Sequence, residues 1–268
     1  YNLNPSIAWR VNDRVSLGAG INLMKMEVEY TKRAVLPVPG MPGSWSARPA
    51  KLQADDTAWG WNIGALFNLS DYTKLGLSYR SKVKQKLDGS LTVTGVTKFG
   101  ASADVELPDT AIVSLTHKLN DQWELLGDIS WTGWSSIPKV EIMNKRTKTV
   151  AQTLDTKFDD TWRVALGANY QLNPTVKLKF GVAYDQTPVP DKEHRLVSLP
   201  DNDRIWLSFG TQWKPNKEST LDLGVSYLYV KNTKIDNNGN TSLPPTGRIR
   251  GEFDSNVWII GGQYSMAF

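Results

Sequence analysis

Apolar and polar side chains alternate along most of the chain, in segments of about ten residues separated by turn-forming residues. In the segment 176–185, one face carries Val176, Leu178, Phe180, Val182 and Tyr184, and the other carries Lys177, Lys179, Gly181, Ala183 and Asp185. A period of two is typical of a β-strand, because successive side chains point to opposite faces of a sheet. The sequence therefore predicts an all-β protein whose strands have one apolar face and one polar or glycine-rich face.

The connections between these segments are alternately short and long. Eleven strands are predicted, with approximate boundaries at 5–11, 15–32, 56–69, 74–88, 105–119, 123–136, 158–172, 175–187, 202–213, 219–231 and 249–268. Short turns fall at 12–14, 70–72, 120–122, 173–174 and 214–217, and long connections fall near 33–56, 88–106, 135–158, 187–203 and 232–250. A water-soluble sandwich gives no reason for this alternation, whereas a membrane barrel has short periplasmic turns and long extracellular loops. We therefore predict an antiparallel transmembrane β-barrel, with apolar faces toward lipid and polar faces toward the lumen.

The composition fits such a barrel and excludes other classes. No stretch approaches the roughly 18 consecutive apolar residues of a spanning helix, which excludes a helical membrane protein. The 11 Trp and 9 Tyr, against 7 Phe, favour rings at a membrane–water boundary. Cys is absent, which excludes thiolate metal sites, Cys nucleophiles and disulfides. A net charge of +4 gives no case for nucleic acid binding.

The ends of the chain lead to an expectation about its completeness. The predicted strand number is odd, whereas single-chain bacterial barrels have even numbers. The sequence has no initiator Met and no signal peptide, and Tyr1 falls just before a strand. Phe268 follows an alternating aromatic strand, as at the end of an outer-membrane barrel. We expect 1–268 to be the C-terminal portion of a single β-barrel domain whose upstream strands are absent.

Several segments resemble the FadL/TodX-type outer-membrane transporters of long-chain fatty acids and hydrocarbons. The most specific are Gly-Val-Ala-Tyr-Asp-Gln-Thr-Pro at 181–188 and Leu-Pro-Asp-Asn-Asp-Arg-Ile-Trp at 199–206. Further similar segments lie at 13–20, 74–81, 107–111, 126–135 and 161–167. Together they cover nearly the whole chain, and their order and spacing make the resemblance specific.

The resemblance implies a fourteen-stranded barrel with an N-terminal plug in its lumen, so that the plug and about three strands would precede Tyr1. It also implies that 33–56 and 88–106 are the third and fourth extracellular loops, which in the family form an outer hydrophobic groove. The implied function is passive uptake of long-chain fatty acids or similar hydrophobic compounds by a multi-pass protein of the bacterial outer membrane. The alternatives are uptake of aromatic or alkane hydrocarbons by the same barrel, or a structural or adhesive barrel with no transport role.

The predicted connection that begins at residue 33 carries apolar residues that an exposed loop has no reason to keep. They are Val35, Leu36, Val38, Met41 and Trp45. Leaving each large side chain in water forgoes roughly 1.5–3 kcal/mol. They either pack on neighbouring loops and cap the barrel, or line an apolar landing site for a ligand. Both can hold, because a groove needs a packed floor, and we take all five as candidate ligand contacts.

A row of basic residues forms a second candidate feature. It lies in the predicted strand 74–88 and consists of Arg80, Lys82, Lys84 and Lys86. Because every second residue of a strand points to the same face, the row faces the lumen at first and then the outer rim. There it would guide a carboxylate or pair with lipopolysaccharide phosphate, or it would be a solvated rim with weak ion pairs. Arg80 is taken as a candidate ligand residue.

Three further cations face the lumen by parity, namely Arg163, Lys177 and Lys179. A cation in an apolar pocket can bind a carboxylate headgroup through a charge-assisted hydrogen bond. The alternative is that these cations pair with lumen acids, for which Asp128 and Asp185 are available. We take all three cations as candidate anchors for a ligand.

Patterns that would indicate an enzyme are weak. The run 18–20 lies in a strand with no helix after it, so it is not a dinucleotide-binding loop. His117 lacks a serine and an acid in a convincing arrangement, and the acids at 155–160 and 201–203 are interpreted as solvated loop charges. The run 236–240 is interpreted as a tight turn. We therefore expect no enzyme activity, no cofactor and no metal. The expected partners are a hydrophobic small molecule, outer-membrane lipid and lipopolysaccharide.

Overall fold

The computed structural model describes residues 1–238 and 247–267, which form strands β1 to β18 and a short 3-10 turn at Trp134–Ser136. The first nine strands are β1 Asn2–Leu3, β2 Ser6–Arg10, β3 Val15–Pro37, β4 Trp45–Asn68, β5 Thr73–Arg80, β6 Val83–Val93, β7 Thr97–Leu107, β8 Thr110–Lys118 and β9 Trp123–Thr132. The other nine are β10 Lys139–Asn144, β11 Thr149–Asp155, β12 Thr161–Asn173, β13 Val176–Asp185, β14 Arg204–Trp213, β15 Ser219–Val230, β16 Thr233–Asn238, β17 Arg248–Phe253 and β18 Asn256–Met266. Among these residues no helix is long and apolar enough to cross a membrane.

Eleven of these strands form one continuous antiparallel sheet, called the wall below. Its order is β2-β3-β4-β5-β8-β9-β12-β13-β14-β15-β18, and each strand pairs with the next. Each wall strand overlaps one of the eleven predicted segments. The predicted antiparallel all-β fold and the order of its strands are therefore confirmed. Phe268 and the end of the predicted turn 236–240 lie outside the described residues, whereas the start of that turn belongs to β16, not to a turn.

The short turns of the wall close around asparagine side chains. In four of them the side-chain Oδ1 accepts hydrogen bonds from the N–H groups two and three residues later, at Asn12, Asn120, Asn173 and Asn216. In the fifth turn the Ser70 hydroxyl accepts a hydrogen bond from the Tyr72 N–H at 3.2 Å. These side chains replace a backbone acceptor in the turn, which is why the five positions could be predicted.

The opposite end of the wall carries a second sheet where long connections were predicted. β3 continues to Pro37 and β4 begins at Trp45, so most of 33–56 is paired strand. Beyond its wall segment β4 pairs with β6, and the sheet continues through β7 and β10 to β11. The predicted connections 88–106 and 135–158 are thus largely hairpins. This sheet, called the head below, consists of the upper parts of β3 and β4 together with β6, β7, β10 and β11.

Two breaks in the predicted strands separate the head from the wall. The predicted strand 74–88 stops after Arg80, where the Ser81 hydroxyl accepts a hydrogen bond from the Trp61 N–H at 2.9 Å. The predicted strand 105–119 is interrupted at 108–109, where Pro108 has no N–H to donate to a neighbouring strand. Lys82, Lys84 and Lys86 continue the parity of Arg80 through the first break, so the alternation does not reveal it, whereas at the second break Asp109 falls where the alternation calls for an apolar residue.

The apolar face of the wall is exposed. On β12, Trp162, Val164 and Leu166 are 52%, 43% and 62% exposed. Neighbouring strands expose alternate residues in the same way, including Ile129, Phe180, Val182, Ile205, Leu207, Phe209 and Leu223. A contiguous apolar surface of this extent is unfavourable in water and is the surface that a barrel presents to lipid.

Aromatic residues lie at both ends of this apolar face. Near the short turns they are Tyr72, Trp123, Tyr170, Trp213 and Tyr264, and toward the head they are Tyr79, Trp162, Tyr184, Tyr229 and Trp258. On β12 the residues Trp162 and Tyr170 are eight positions apart, which corresponds to about 26 Å at ~3.3 Å per residue. Because the strands of membrane barrels are tilted by about 35–45°, this distance along the strand corresponds to roughly 20 Å of depth, close to but less than the apolar band of about 25 Å between their aromatic girdles.

The head has an apolar core of its own. Its buried residues are Ala50, Leu52, Leu91, Val93, Ala101 and Ile142, with Tyr30, Ala34, Leu36 and Phe99 packed against them. These residues come from β3, β4, β6, β7 and β10, so the head sheet must curl for its first and fifth strands to share a core. A contact between β3 and β11 supports this curl, because the Lys32 ammonium donates a hydrogen bond to Gln152 Oε1. Burial lowers the pKa of Lys32.

Candidate functional site

The β3–β4 hairpin places the five candidate loop residues in different environments. Its tip is closed by hydrogen bonds from the Val38 N–H to Ser44 O at 2.9 Å and from the Met41 N–H to Val38 O at 3.1 Å. Met41 and Trp45 are 62% and 42% exposed. Leu36 packs against the core of the head, and Val35 and Val38 are partly buried. One hairpin therefore provides both a packed floor and an exposed apolar tip.

A second apolar tip belongs to the β6–β7 hairpin, which the sequence analysis did not single out. Val96 at this tip is 56% exposed. The Thr94 N–H donates a hydrogen bond to Pro49 O at 2.9 Å, which fixes the second hairpin against the first. A short turn between two strands gives no periodic signal, so only the fold reveals that Val96 belongs to this end of the molecule.

The predicted basic row does not continue along one strand. Arg80 ends β5 on the polar face of the wall, whereas Lys84 and Lys86 lie in β6 of the head and are exposed. Lys84 and Lys82 both approach Glu106, at 3.4 and 3.8 Å. The row is interrupted because the chain leaves the wall after Arg80, and the residues that follow belong to the head sheet.

Two of the candidate lumen cations are paired with acids on neighbouring strands. Arg163 Nη1 lies 3.0 Å from Asp128 Oδ1. Lys179 Nζ lies 2.7 Å from Asp222 Oδ1, which also accepts a hydrogen bond from Gln212 at 3.0 Å. The sequence analysis named Asp128 as a possible partner but not Asp222. Whether Lys179 meets Asp222 depends on how far their strands are shifted along one another, and neither residue reveals this register.

Asp185, the other acid considered as a partner for these cations, is taken by a different residue. Arg204 Nη2 lies 2.9 Å from Asp185 Oδ2, and Arg204 Nη1 lies 3.3 Å from Asp201 Oδ1. Asp185 and Arg204 face each other in the register of β13 and β14. Arg204 was not a candidate in the sequence, although it stands directly before the alternating segment of β14.

Arg80 and Lys177 differ from the paired cations. Within residues 1–238 and 247–267 neither side chain has an ion pair or a hydrogen bond to a protein group. Both are partly buried on the polar face. Arg80 lies between Asn62 and Thr110 in the register, at the head end of the wall. Lys177 lies close to the short-turn end. Each guanidinium or ammonium group is therefore available to an anionic ligand.

A depression of about 580 Å³ lies on the polar face of β13, β14, β15 and β18. Glycine leaves its surface open at Gly181, Gly210, Gly224 and Gly261. The Lys179–Asp222 pair borders it, and on its floor the hydroxyls of Ser208 and Ser226 are 2.8 Å apart. In the sequence, this depression is indicated by small residues at every second position of its strands.

The remaining polar candidates occupy separate places. His117 Nδ1 lies 2.8 Å from the Thr73 hydroxyl, near a short turn. Asp201 accepts a hydrogen bond from the Thr187 hydroxyl at 2.7 Å, and Asp203 accepts one from the Tyr184 hydroxyl at 2.9 Å. The described part of the chain brings together no group of three His, Asp or Glu side chains suited to a metal ion.

Comparison with known proteins connects these features to a family. Residues 1–268 match the family model described as outer membrane protein transport protein (OMPP1/FadL/TodX). The chain is 30% identical over 299 residues to the long-chain fatty acid transport protein of Salmonella typhi. All of this chain takes part in that match, and it spans 65% of the length of that relative.

Solved structures show the same fold. A Pseudomonas aeruginosa FadL homologue superposes with a TM-score of 0.90 at 24% identity, covering 99% of this chain and 67% of that one. The Ralstonia pickettii toluene transporter TbuX gives a TM-score of 0.69 at 18% identity, covering 97% and 66% of the two chains. These likenesses confirm the predicted transmembrane β-barrel class.

Proposed function

The chain belongs to the outer membrane protein transport protein (OMPP1/FadL/TodX) family, and we propose that it serves as a channel for passive uptake of long-chain fatty acids or similarly hydrophobic compounds. The family and the fold place it in the bacterial outer membrane, which the wall crosses several times. We further propose that 1–268 belongs to one β-barrel domain, with the head on the extracellular side, and that it works without catalysis.

The observation that carries this proposal is the exposed apolar tip of the head. Met41 and Trp45 remain in water at the end of a hairpin whose base is well packed. Covering such side chains with a hydrophobic ligand recovers free energy in proportion to the apolar area removed from water. Val96 on the second tip provides further exposed apolar area in the head. The two tips would take up the ligand before it meets the polar face of the wall.

The charges of the polar face would then select among ligands. Arg163 and Lys179 are already compensated by Asp128 and Asp222, so they offer little to a carboxylate. Among the described residues Arg80 has no acidic partner, and it lies at the head end, where a carboxylate would arrive first. A guanidinium can hold a carboxylate through two parallel hydrogen bonds. Of the four candidate cations, we therefore assign the headgroup contact to Arg80.

The experiment compares a long-chain fatty acid with its methyl ester. Arg80→Gln should weaken binding of the acid by about 10- to 150-fold, because a hydrogen bond to a charged group is worth roughly 1.5–3 kcal/mol. Binding of the ester should not change. The matched control is the double variant Arg163→Gln/Asp128→Asn, which removes a cation together with its acid and should leave the acid's affinity within about twofold.

The second candidate, uptake of aromatic or alkane hydrocarbons, is favoured by the compensated cations of the polar face. A ligand without a headgroup needs no free cation, and paired charges present little net field to it. Equal affinities of acid and ester for the unaltered protein would support this candidate and contradict a role for Arg80. Two of the similar proteins named above span this range of ligands, one being named a long-chain fatty acid transport protein and the other a toluene transporter.

A further inference from the structure

A second depression lies on the apolar face of the wall, where β2, β3, β4, β5 and β8 run side by side. Its volume is about 890 Å³, which is within the range of pockets that hold small molecules. It crosses five strands, and four strand spacings of ~4.8 Å give it a length of about 19 Å. This depression, called the lipid-side groove below, is separate from the one on the polar face of β13, β14, β15 and β18.

Alanine makes this part of the apolar face concave. Ala19 lies between Ile7 and Ile63 in the register of β2, β3 and β4. Ala65 lies in the same way between leucines of β3 and β5. An alanine side chain ends at Cβ, so the alanines form the floor of the groove and their larger neighbours form its sides.

Aromatic rings lie at the head end of the groove. Tyr79 lines it, and the ring centroids of Tyr79 and Trp61 are 5.4 Å apart. The Tyr79 hydroxyl donates a hydrogen bond to Asp109 Oδ2 at 2.9 Å. Tyrosine and tryptophan sit where a membrane surface meets water. The groove therefore begins at the membrane–water boundary on the head side and extends from there into the apolar band.

A lipid chain in this groove gains contacts that a surface of projecting side chains does not offer. Lipid tails are as apolar as the side chains of the wall, so the hydrophobic effect does not favour one part of the face over another. Close packing does, because dispersion attraction grows with the number of atoms in contact. A concave surface contacts a chain on several sides at once. The groove is therefore suited to hold one chain longer than the surrounding surface does.

We propose that the lipid-side groove binds an acyl chain of lipopolysaccharide, the glycolipid of the outer leaflet. The groove is continuous with the lipid-facing surface of the wall, whose neighbours in a membrane are acyl chains. Its position beside Tyr79 assigns it to the leaflet on the head side. That leaflet is the outer one if the head is extracellular, so the inference rests on this part of the proposed function. Lipopolysaccharide, and not phospholipid of the inner leaflet, is then the occupant.

The test compares two valines of the apolar face. Val113 lines the groove, whereas Val182 lies on β13 opposite the larger Leu207. They are 49% and 46% exposed. Both lie two positions below the head-end aromatic residues, at the level of Tyr79 for the first and of Tyr184 for the second. A photoreactive diazirine residue of similar size would replace each valine in turn, in intact cells with an asymmetric outer membrane.

Lipid that becomes attached to the protein on irradiation is identified by mass spectrometry. The label at position 113 should capture lipopolysaccharide at least fivefold more than the label at position 182. Ala65→Leu fills the floor of the groove and should reduce capture at position 113 to the level at position 182. Ala168→Leu is the matched control and should leave capture unchanged, because Ala168 lies on the same face between Leu125 and Phe180, outside the groove.

Three results would overturn the proposal: equal capture at the two labelled positions, phospholipid as the main adduct at position 113, or capture there that survives Ala65→Leu. Uptake of a long-chain fatty acid by the same cells is a separate readout. Ala65 faces away from the polar face of the wall, so Ala65→Leu should leave the rate of uptake unchanged. Absence of uptake by the unaltered protein, with the capture pattern retained, would contradict the proposed function and support the lipid site.

Discussion

Gly89 is a residue at which two strands of the head lie very close together. A Cβ at this position would overlap the Gln53 carbonyl oxygen and lie 2.6 Å from Ala54 Cα. Both of these atoms belong to the backbone of β4, which cannot move aside as a flexible side chain can. Gly89 and Ala54 are also direct partners in the register of β4 and β6. The approach of β6 to β4 therefore requires glycine here.

We predict that Gly89→Ala weakens the pairing of β6 with β4 and leaves the wall intact. Hydrogen exchange should show faster exchange in β6 and β7, by tenfold or more, with unchanged protection in β12 to β14. Gly251→Ala is the control, because a Cβ there meets nothing within 4 Å. Equal effects of the two substitutions would contradict the structural reason given for Gly89.

The partners of individual cations could be predicted only in part. Asp128 was identified as available to Arg163 from the parity of both residues, and the two are paired. The pairing of Lys179 with Asp222 depends on the relative shift of β13, β14 and β15. Parity tells which face a side chain occupies but not its height on that face. For the same reason, the sequence could not distinguish the paired cations from Arg80 and Lys177, which have no acidic partner in the part of the chain that the structure describes.

At the scale of elements, the two hairpin tips of the head are the proposed entry for ligand. Met41→Ser with Trp45→Ser should lower the affinity for a long-chain fatty acid about tenfold, because about 1.4 kcal/mol of apolar contact is lost. The fold should persist, since both side chains are exposed. Titration with a fluorescent fatty acid measures the affinity.

The matched control is Val150→Ser on the neighbouring β11. Val150 is 47% exposed and is also apolar, but it lies outside the two tips. An equal loss for this variant would mean that apolar surface anywhere on the head serves as well, and would contradict a specific role for the tips.

The elements of the wall could be predicted because their causes are local. Alternation marks each wall strand, and an asparagine marks most short turns, as at Asn12 and Asn173. The head could not be predicted, because β6 and β7 exist through pairing with the upper part of β4. Their separation from the wall rests on single features, such as the hydroxyl of Ser81 and the missing N–H of Pro108, which alternation alone does not identify as strand ends.

At the scale of the whole molecule, polarity is distributed in the reverse of a water-soluble protein. The wall exposes residues such as Leu166 and Phe209, and its opposite face holds ion pairs and a depression of about 580 Å³. The buried apolar core lies instead in the head. A lipid-facing wall, a polar face on which Arg163 and Lys179 are paired with acids, and exposed apolar hairpin tips are consistent with the proposed route for a hydrophobic molecule through the polar outer surface of a membrane.

Uptake of a radiolabelled long-chain fatty acid tests this account most directly. It would be measured as an initial rate in cells that lack a fatty acid transporter of their own, with and without the protein in their outer membrane. The account predicts a rate at least tenfold higher with the protein, and a marked reduction of that rate by Met41→Ser with Trp45→Ser but not by Val150→Ser. A rate equal to that of cells without the protein, at a normal level of folded barrel in the membrane, would contradict it.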